Sequence, residues 1–172
     1  MNGNTDWAML GKEAQARAEA EAPKQAEFAK DAERARLERE AFRQKALSAL
    51  QQLRNICERN CEEYNTHVSG AAHRVSVKDT TDGFSIEKGN GIVHAYFKLD
   101  RLDSKTLTSS RENSMTPRNQ QFTKFDVVEL DGIVHFGKML TDFIASDTED
   151  IAEEACKWVI GTEEAYPNFK TL

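Results

Sequence analysis

Long apolar runs and an excess of basic residues are both missing from this sequence of 172 residues. No run approaches the roughly 20 apolar residues of a membrane-spanning helix, and the N-terminus lacks a charged start followed by an apolar stretch. The formal charge is −6, whereas nucleic-acid binding depends on clustered lysine and arginine. We therefore expect a cytoplasmic protein whose partner is neither a membrane nor a nucleic acid.

Cysteine is also scarce, with only Cys57, Cys61 and Cys156. A small, odd number favours a reducing compartment over a disulfide framework. Cys57 and Cys61 lie four residues apart, which on a helix separates their Cβ atoms by about 5–6 Å, too far for a disulfide. With His67 or His73 they could hold a metal, but this spacing is not typical of zinc sites. We predict buried free thiols and no metal site.

Catalytic motifs are absent as well. No serine lies in a G-x-S-x-G turn, and there is no phosphate-binding loop, dinucleotide-binding glycine pattern or H-E-x-x-H metal motif. The sequence predicts no catalytic residues and no cofactor, and it favours a non-catalytic protein without excluding an enzyme.

The clearest helical pattern runs from Phe42 to Tyr64. Its apolar residues recur at three- and four-residue steps and form one stripe, made by Phe42, Ala46, Ala49, Leu50, Leu53, Ile56, Cys57, Cys61 and Tyr64. Polar residues occupy the positions between them. Alternating strands follow, so the simplest architecture is a long amphipathic helix packed on an antiparallel sheet.

Residues 1–40 form a charged, alanine-rich segment, which we call the arm. From Lys12 to Lys45 there are nine basic and eight acidic residues, often paired at helical spacing. We predict a helical arm that is partly disordered, with a break or kink near Glu21 to Lys24 because proline disrupts a helix interior. A single α+β domain follows over residues 41–172.

The arm has two interpretations. Charged pairs and alanine alone create no packing stripe, so it could be a solvated extension. Alternatively it could be a helix for oligomerisation or partner docking, since Phe28, Ala35, Phe42, Ala49 and Ile56 fall at seven-residue steps. The second apolar position of such a seven-residue repeat is mostly small or polar here, so a coiled coil formed by these residues would be weak.

From His73 the apolar period changes from 3.6 to 2, as in β-strands. Strand patterns separated by turn signals continue to Leu99, and Lys105 to Ser110 is the best strand candidate in the polar stretch Asp100 to Gln121. The predicted fold class is α+β, with a long N-terminal helix, an antiparallel sheet of about five to six strands and a C-terminal helix.

The strongest local signal is a pair of alternating runs joined by Asp131-Gly132. This predicts a two-residue hairpin that pairs Val128 with His135. Its opposite face carries Phe125, Val127, Val134 and Phe136. Because both faces are partly apolar, we expect a second helix or another subunit to cover the far side.

A second helix is predicted after this hairpin. Ser146-Asp147-Thr148-Glu149 has the form of a capping box, and Gly161 is a suitable stop. The packing face of this helix consists of Ile151, Ala155, Cys156, Trp158 and Val159.

Two groups of residues are candidates for binding. One is a sheet face on which two histidines would meet if their strands were neighbours, made by His94, Tyr96, Val128 and His135. The other is an anion-contacting loop containing Arg101, Lys105, Arg111 and Arg118. No glycine-rich loop or helix start focuses those charges, so scattered solvated side chains are the simpler interpretation.

The order of elements, with FDVVELDGIVHFGKM before SDTEDIAEEACKWVIG, resembles that of small secretion chaperones and related acidic α+β binding proteins. The resemblance covers roughly Ala46 to Gly161. Such chaperones have a dimer-forming helix where this chain has Asp100 to Gln121, and they lack a long charged arm. The resemblance implies a non-catalytic protein that binds protein partners.

Two functions therefore stay open. The first is a non-catalytic protein-binding or assembly module of the cytoplasm, with a protein partner or self-association. The second is a small ligand-binding protein or hydrolase-like enzyme that uses the sheet face around His94 and His135.

Overall fold

A computed structural model shows the fold and describes residues 7–89, 91, 93–113 and 120–161. The elements in chain order are α1 Trp7–Thr66, a 3-10 helix Ala71–His73, β1 Val75–Thr80, β2 Gly83–Lys88, β3 Val93–Leu99, β4 Thr106–Asn113, β5 Gln121–Leu130, β6 Ile133–Met139, β7 Phe143–Ala145 and α2 Thr148–Ile160. The strands form one antiparallel sheet in the order β1 to β7. The predicted α+β fold is confirmed, with seven strands rather than five to six.

By its internal contacts the chain divides into two units, Met1–Ala41 and Phe42–Leu172, and α1 contributes residues to both. In the first unit, every residue from Trp7 to Ala41 is helical and exposed. This part of α1 therefore contains no core of its own.

The helix continues through Pro23, so the break predicted there is absent. A proline at this position removes the backbone donor for the carbonyl of Glu19. Because both residues are exposed, water can supply that donor instead, and the flanking turns keep their own hydrogen bonds.

In the second unit, α1 packs on the sheet through the predicted stripe. All nine stripe residues lie in the core cluster or pack against it, and five of them are buried: Ala46, Leu50, Leu53, Cys57 and Cys61. The sheet contributes one face, with Phe84, Ile86, Phe97, Leu107 and Phe136 fully buried. Alternation along each strand sends the neighbouring side chains to the opposite face.

The second helix, α2, packs on the same face of the sheet as α1. Its buried residues join the same cluster: Ile151, Ala152, Ala155, Cys156, Trp158 and Val159. The predicted packing face and the stop at Gly161, whose φ is 86°, are confirmed. The N-cap is Asp147 rather than Ser146, because the Asp147 carboxylate accepts the Glu149 backbone N–H at 2.8 Å. The expectation that a second helix covers the far side is wrong for α2.

The hairpin between β5 and β6 has the predicted register, with Val128 paired with His135 and Leu130 with Ile133. Asp131 and Gly132 have φ values of 51° and 82°. Two positive φ values in a two-residue loop are typical of a type I′ turn, which matches the twist of the strands.

The two edges of the sheet are protected in different ways. At the β1 edge, the Asn65 amide donates to the Val75 carbonyl at 2.7 Å and accepts the Val75 N–H at 2.9 Å. A side chain thus takes the place of a neighbouring strand at that residue. The other edge, β7, is only three residues long, which limits strand pairing with another chain.

Candidate functional site

The candidate site is the sheet face opposite α1 and α2, which we call the open face. The register places all four predicted face residues on it: His94 and Tyr96 in β3, Val128 in β5 and His135 in β6. The described helices both pack on the other side. The open face therefore lacks a covering layer among the described elements.

The half formed by β1–β4 is polar. Glu87, His94 and Glu112 lie side by side on three neighbouring strands. The His94 Nε2 atom lies 3.2 Å from a Glu112 carboxylate oxygen. The Tyr96 ring packs edge-on against the imidazole, with 4.8 Å between ring centroids. The histidine is thereby fixed between a carboxylate and an aromatic ring.

We call Glu87, His94 and Glu112 the polar row. Neighbouring groups balance its charge. The hydrogen bond from Lys78 lowers the pKa of Glu87, and the Ser85 hydroxyl and His94 act in the same direction against the effect of burial. Burial, with Glu112 and Glu87 nearby, raises the pKa of Tyr96. Glu87 therefore stays ionised and the Tyr96 phenol stays neutral at physiological pH.

The row is a network of polar side chains joined by hydrogen bonds across neighbouring strands. Within the described ranges, every buried side-chain nitrogen or oxygen has a hydrogen-bond partner. In the same ranges, no group of three or more His, Cys, Asp or Glu side chains is placed to hold a metal ion.

The two histidines of the predicted face do not meet. Their strands, β3 and β6, are separated by β4 and β5, which places them about 14 Å apart across the sheet. The register pairs His94 with Glu112 of β4 and His135 with Val128 of β5. Measured along the strand direction, these two pairs lie about 26 Å apart. An acid/base or metal site shared by His94 and His135 therefore has no geometric basis here.

The half formed by β5–β7 carries large apolar side chains at both ends of the open face. The apolar strip, as we call it, consists of Phe122, Val128, Leu130, Ile133, Met139 and Phe143, all on the open face. Ile133 and Phe122 are 62% and 63% exposed. Side chains of this size are unusual on a solvated sheet face, where polar residues normally alternate with the core.

Phe143 also explains the glycine in the middle of the strip. A Cβ atom added to Gly137 would lie 2.7 Å from the Phe143 ring and 2.2 Å from the Ile144 carbonyl oxygen. The aromatic ring occupies the space that a side chain at position 137 would fill. It thereby covers the backbone of β6 at the glycine with an apolar ring.

The predicted anion-contacting residues are not gathered in one place. Lys105 and Arg111 lie six residues apart, about 20 Å along an extended strand. Arg111 lies on the helix side of the sheet and pairs with Glu154 of α2 at 3.3 Å. Arg118 lies outside the described residues.

Arg101 belongs instead to a charged pocket of about 270 Å³ between α1 and the β1–β2 turn. Its guanidinium donates to Asp82 at 2.5 Å and lowers the pKa of that carboxyl. Arg54 of α1 donates to Asp79 at 2.6 Å. Both arginines thus have carboxylate partners, and the Arg54–Asp79 ion pair fastens α1 to β1.

The three cysteines are free and buried. Cys61 and Cys156 bring α1 and α2 together, with 4.0 Å between their sulfur atoms, and the Cys156 thiol points to the Cys57 carbonyl at 3.8 Å. The contact with Cys156, together with burial, raises the pKa of Cys61; the hydrogen bond to Cys57 raises that of Cys156. Protonated, buried thiols are poor nucleophiles and metal ligands.

Sequence reasoning missed the partners of His94 and the second end of the strip. Glu87 and Glu112 flank His94 only through strand register, and the glycines at positions 89 and 91 in the sequence could have indicated that register for Glu87. Met139 and Phe143 come together because β7 pairs with β6, and a three-residue strand carries too short a pattern to be predicted.

Comparisons with known proteins found no significant match: no protein-family model, no curated protein and no solved structure is similar to this chain. Within the described residues, no helix has the length and apolar character needed to cross a membrane. The geometry of the open face is therefore the basis for assigning a function.

Proposed function

We propose that this protein is a non-catalytic protein-binding module of the cytoplasm, and that the apolar strip binds an amphipathic helix of a protein partner. The observation that carries the proposal is the contrast between the two halves of the open face. The open face of the β1–β4 half is polar, whereas that of the β5–β7 half exposes large apolar side chains. Exposed apolar patches rimmed by polar residues commonly mark protein-binding surfaces.

The dimensions of the strip favour a helix as the occupant. Three strands span about 10 Å between the outer two, close to the 10–12 Å diameter of a helix with its side chains. Phe122 and Leu130 lie eight residues apart on β5, or about 26 Å. A helix of roughly 18 residues covers that length.

A strand is a poorer occupant, because both sheet edges oppose strand addition. At β1, Asn65 already bonds both backbone groups of Val75, and Lys78 places a charge on the same strand. At β7, only three residues are available for pairing. Strand addition needs a longer row of free backbone groups.

Several observations support a binding role over an enzymatic one. The two histidines are far apart, and two arginines of the charged pocket, Arg54 and Arg101, are already engaged in ion pairs. Three free, buried cysteines support a reducing compartment.

The test is a titration of the full-length, 15N-labelled protein with a designed amphipathic helix that carries leucine on one face and alternating lysine and glutamate on the other. We expect saturable amide shifts confined to β5–β7. The double variant Leu130→Glu/Ile133→Glu should abolish them while keeping a native spectrum, since both side chains are exposed. Thr108→Glu, on the polar half of the same face, is the matched control and should bind like the wild type. Shifts elsewhere, or unchanged binding by the double variant, would refute the proposal.

A further inference from the structure

Most of the exposed large apolar side chains in the described part of the chain lie in two regions. Five lie on the arm: Trp7, Met9, Leu10, Phe28 and Leu37. Six lie between Phe122 and Ile144, in and beside the apolar strip; Leu47 and Leu102 are the other two. One region is a helix that buries nothing in its own unit, and the other is a surface with the width of a helix.

We propose that the helix that docks on the apolar strip is the arm of a second copy of this chain. This inference rests on the proposed function and names the partner of the same surface. If two molecules exchange arms reciprocally, each strip is filled and the contact closes as a symmetric dimer.

The spacing of apolar residues on the arm matches the spacing of the strip. Leu10 and Phe28 are 18 residues apart, which is five full helical turns. They therefore lie on one line of the helix, about 27 Å apart. The ends of the strip, marked by Phe122 and by Leu130 with its neighbour Ile133, are about 26 Å apart.

The polar residues match as well. Between Leu10 and Phe28, the same side of the helix carries Arg17, Glu21 and Lys24. Between the ends of the strip, the open face of β5 carries Lys124 and Asp126. Both surfaces thus have apolar ends and a charged middle of mixed sign, so docking pairs opposite charges where the apolar contacts stop.

The net charge of the arm does not oppose this contact. Seven basic and eight acidic residues lie between Trp7 and Glu40, so the arm is nearly neutral although the whole chain carries −6. Trp7 and Phe28 are 78% and 77% exposed, and docking would remove both large aromatic surfaces from water.

The experiment uses full-length variants and light scattering over a range of concentrations. The arm variant is Leu10→Glu/Phe28→Glu, and the face variant is Leu130→Glu/Ile133→Glu. We expect the wild type to dimerise and each variant alone to lose at least about tenfold in affinity. Leu37→Glu is the matched control, because Leu37 lies nine residues, or two and a half turns, from Phe28 and so on the opposite side. It should dimerise like the wild type.

Mixing the two variants separates arm-on-sheet docking from other modes of association. The face variant keeps an intact arm and the arm variant an intact strip, so an equimolar mixture should regain a heterodimer through one of the two contacts. Self-association of the face variant alone would instead indicate arm–arm pairing, and that of the arm variant alone would indicate face–face pairing. Either result, or a monomeric wild type at all concentrations, overturns the inference.

The outcome also distinguishes this inference from the proposed function. A monomeric wild type whose β5–β7 amides still respond to the designed helix would remove only the second copy as partner. Failure of both experiments would remove the binding function of the strip itself.

Discussion

Replacing Asn65 by alanine tests how the end of α1 is fastened to the sheet. The Asn65 amide makes both of its hydrogen bonds to Val75, a residue that is 2% exposed. The substitution leaves a buried N–H and a buried carbonyl without partners, and each orphaned group costs about 1–3 kcal/mol. Because Asn65 is only half-buried, water can reach part of the gap. We expect a loss of about 2–4 kcal/mol from a total stability of about 5–15 kcal/mol.

Urea unfolding followed by circular dichroism measures this loss as a lower midpoint with an unchanged slope. Gln52→Ala, at an exposed position of the same helix, is the control and should change the free energy of unfolding by less than about 0.5 kcal/mol. Asn65→Asp keeps the acceptor for the Val75 N–H but places a carboxylate oxygen against the carbonyl. It should gain stability relative to Asn65→Ala as acid protonates that carboxyl. A loss below about 0.5 kcal/mol in Asn65→Ala would refute this account of the edge.

Two further predictions concern the hairpin and the polar row. Gly132→Val should destabilise the protein by more than about 1 kcal/mol, since a β-branched residue is strained at a φ of 82°. Asp131→Asn is the control and should keep the wild-type melting temperature. Equal melting temperatures of the two variants would contradict the turn geometry. The lowered pKa of Glu87 stabilises the fold above the ordinary carboxyl pKa of about 4.3, and this contribution is lost as pH falls through the folded-state pKa. Glu87→Gln should therefore be less stable than the wild type at neutral pH, and the two stabilities should become equal in acid. Urea midpoints measured across that pH range would show this. A stability difference that does not change with pH would contradict the pairing with Lys78.

Local patterns predicted the parts of the fold that local physics determines. The three- and four-residue steps around Leu53 defined the buried stripe of α1, because a helix presents those positions on one side. Asp131-Gly132 defined the register of β5 and β6, because few residues accept two positive φ values in succession. The packing face of α2 followed from the same helical period.

What the sequence did not predict depends on long-range arrangement. The separation of His94 from His135 follows from the order of four strands, which no local pattern encodes. The side of the sheet taken by α2 depends on contacts such as Cys61 with Cys156, ninety-five residues apart. The predicted break of the helix at Pro23 is absent because hydration of one exposed carbonyl replaces the hydrogen bond that the proline removes.

The strict chain order of the sheet has a consequence for how the protein is made. Each strand pairs with the strand that follows it, so every ladder is closed by a short connection and the loop-closure entropy of each step is small. The core-facing stripe of α1 is synthesised before any strand and receives them one after another. Each strand after β1 finds its preceding partner already synthesised, and α2, which packs on β2 and β3, follows the last strand in the chain and joins the same core.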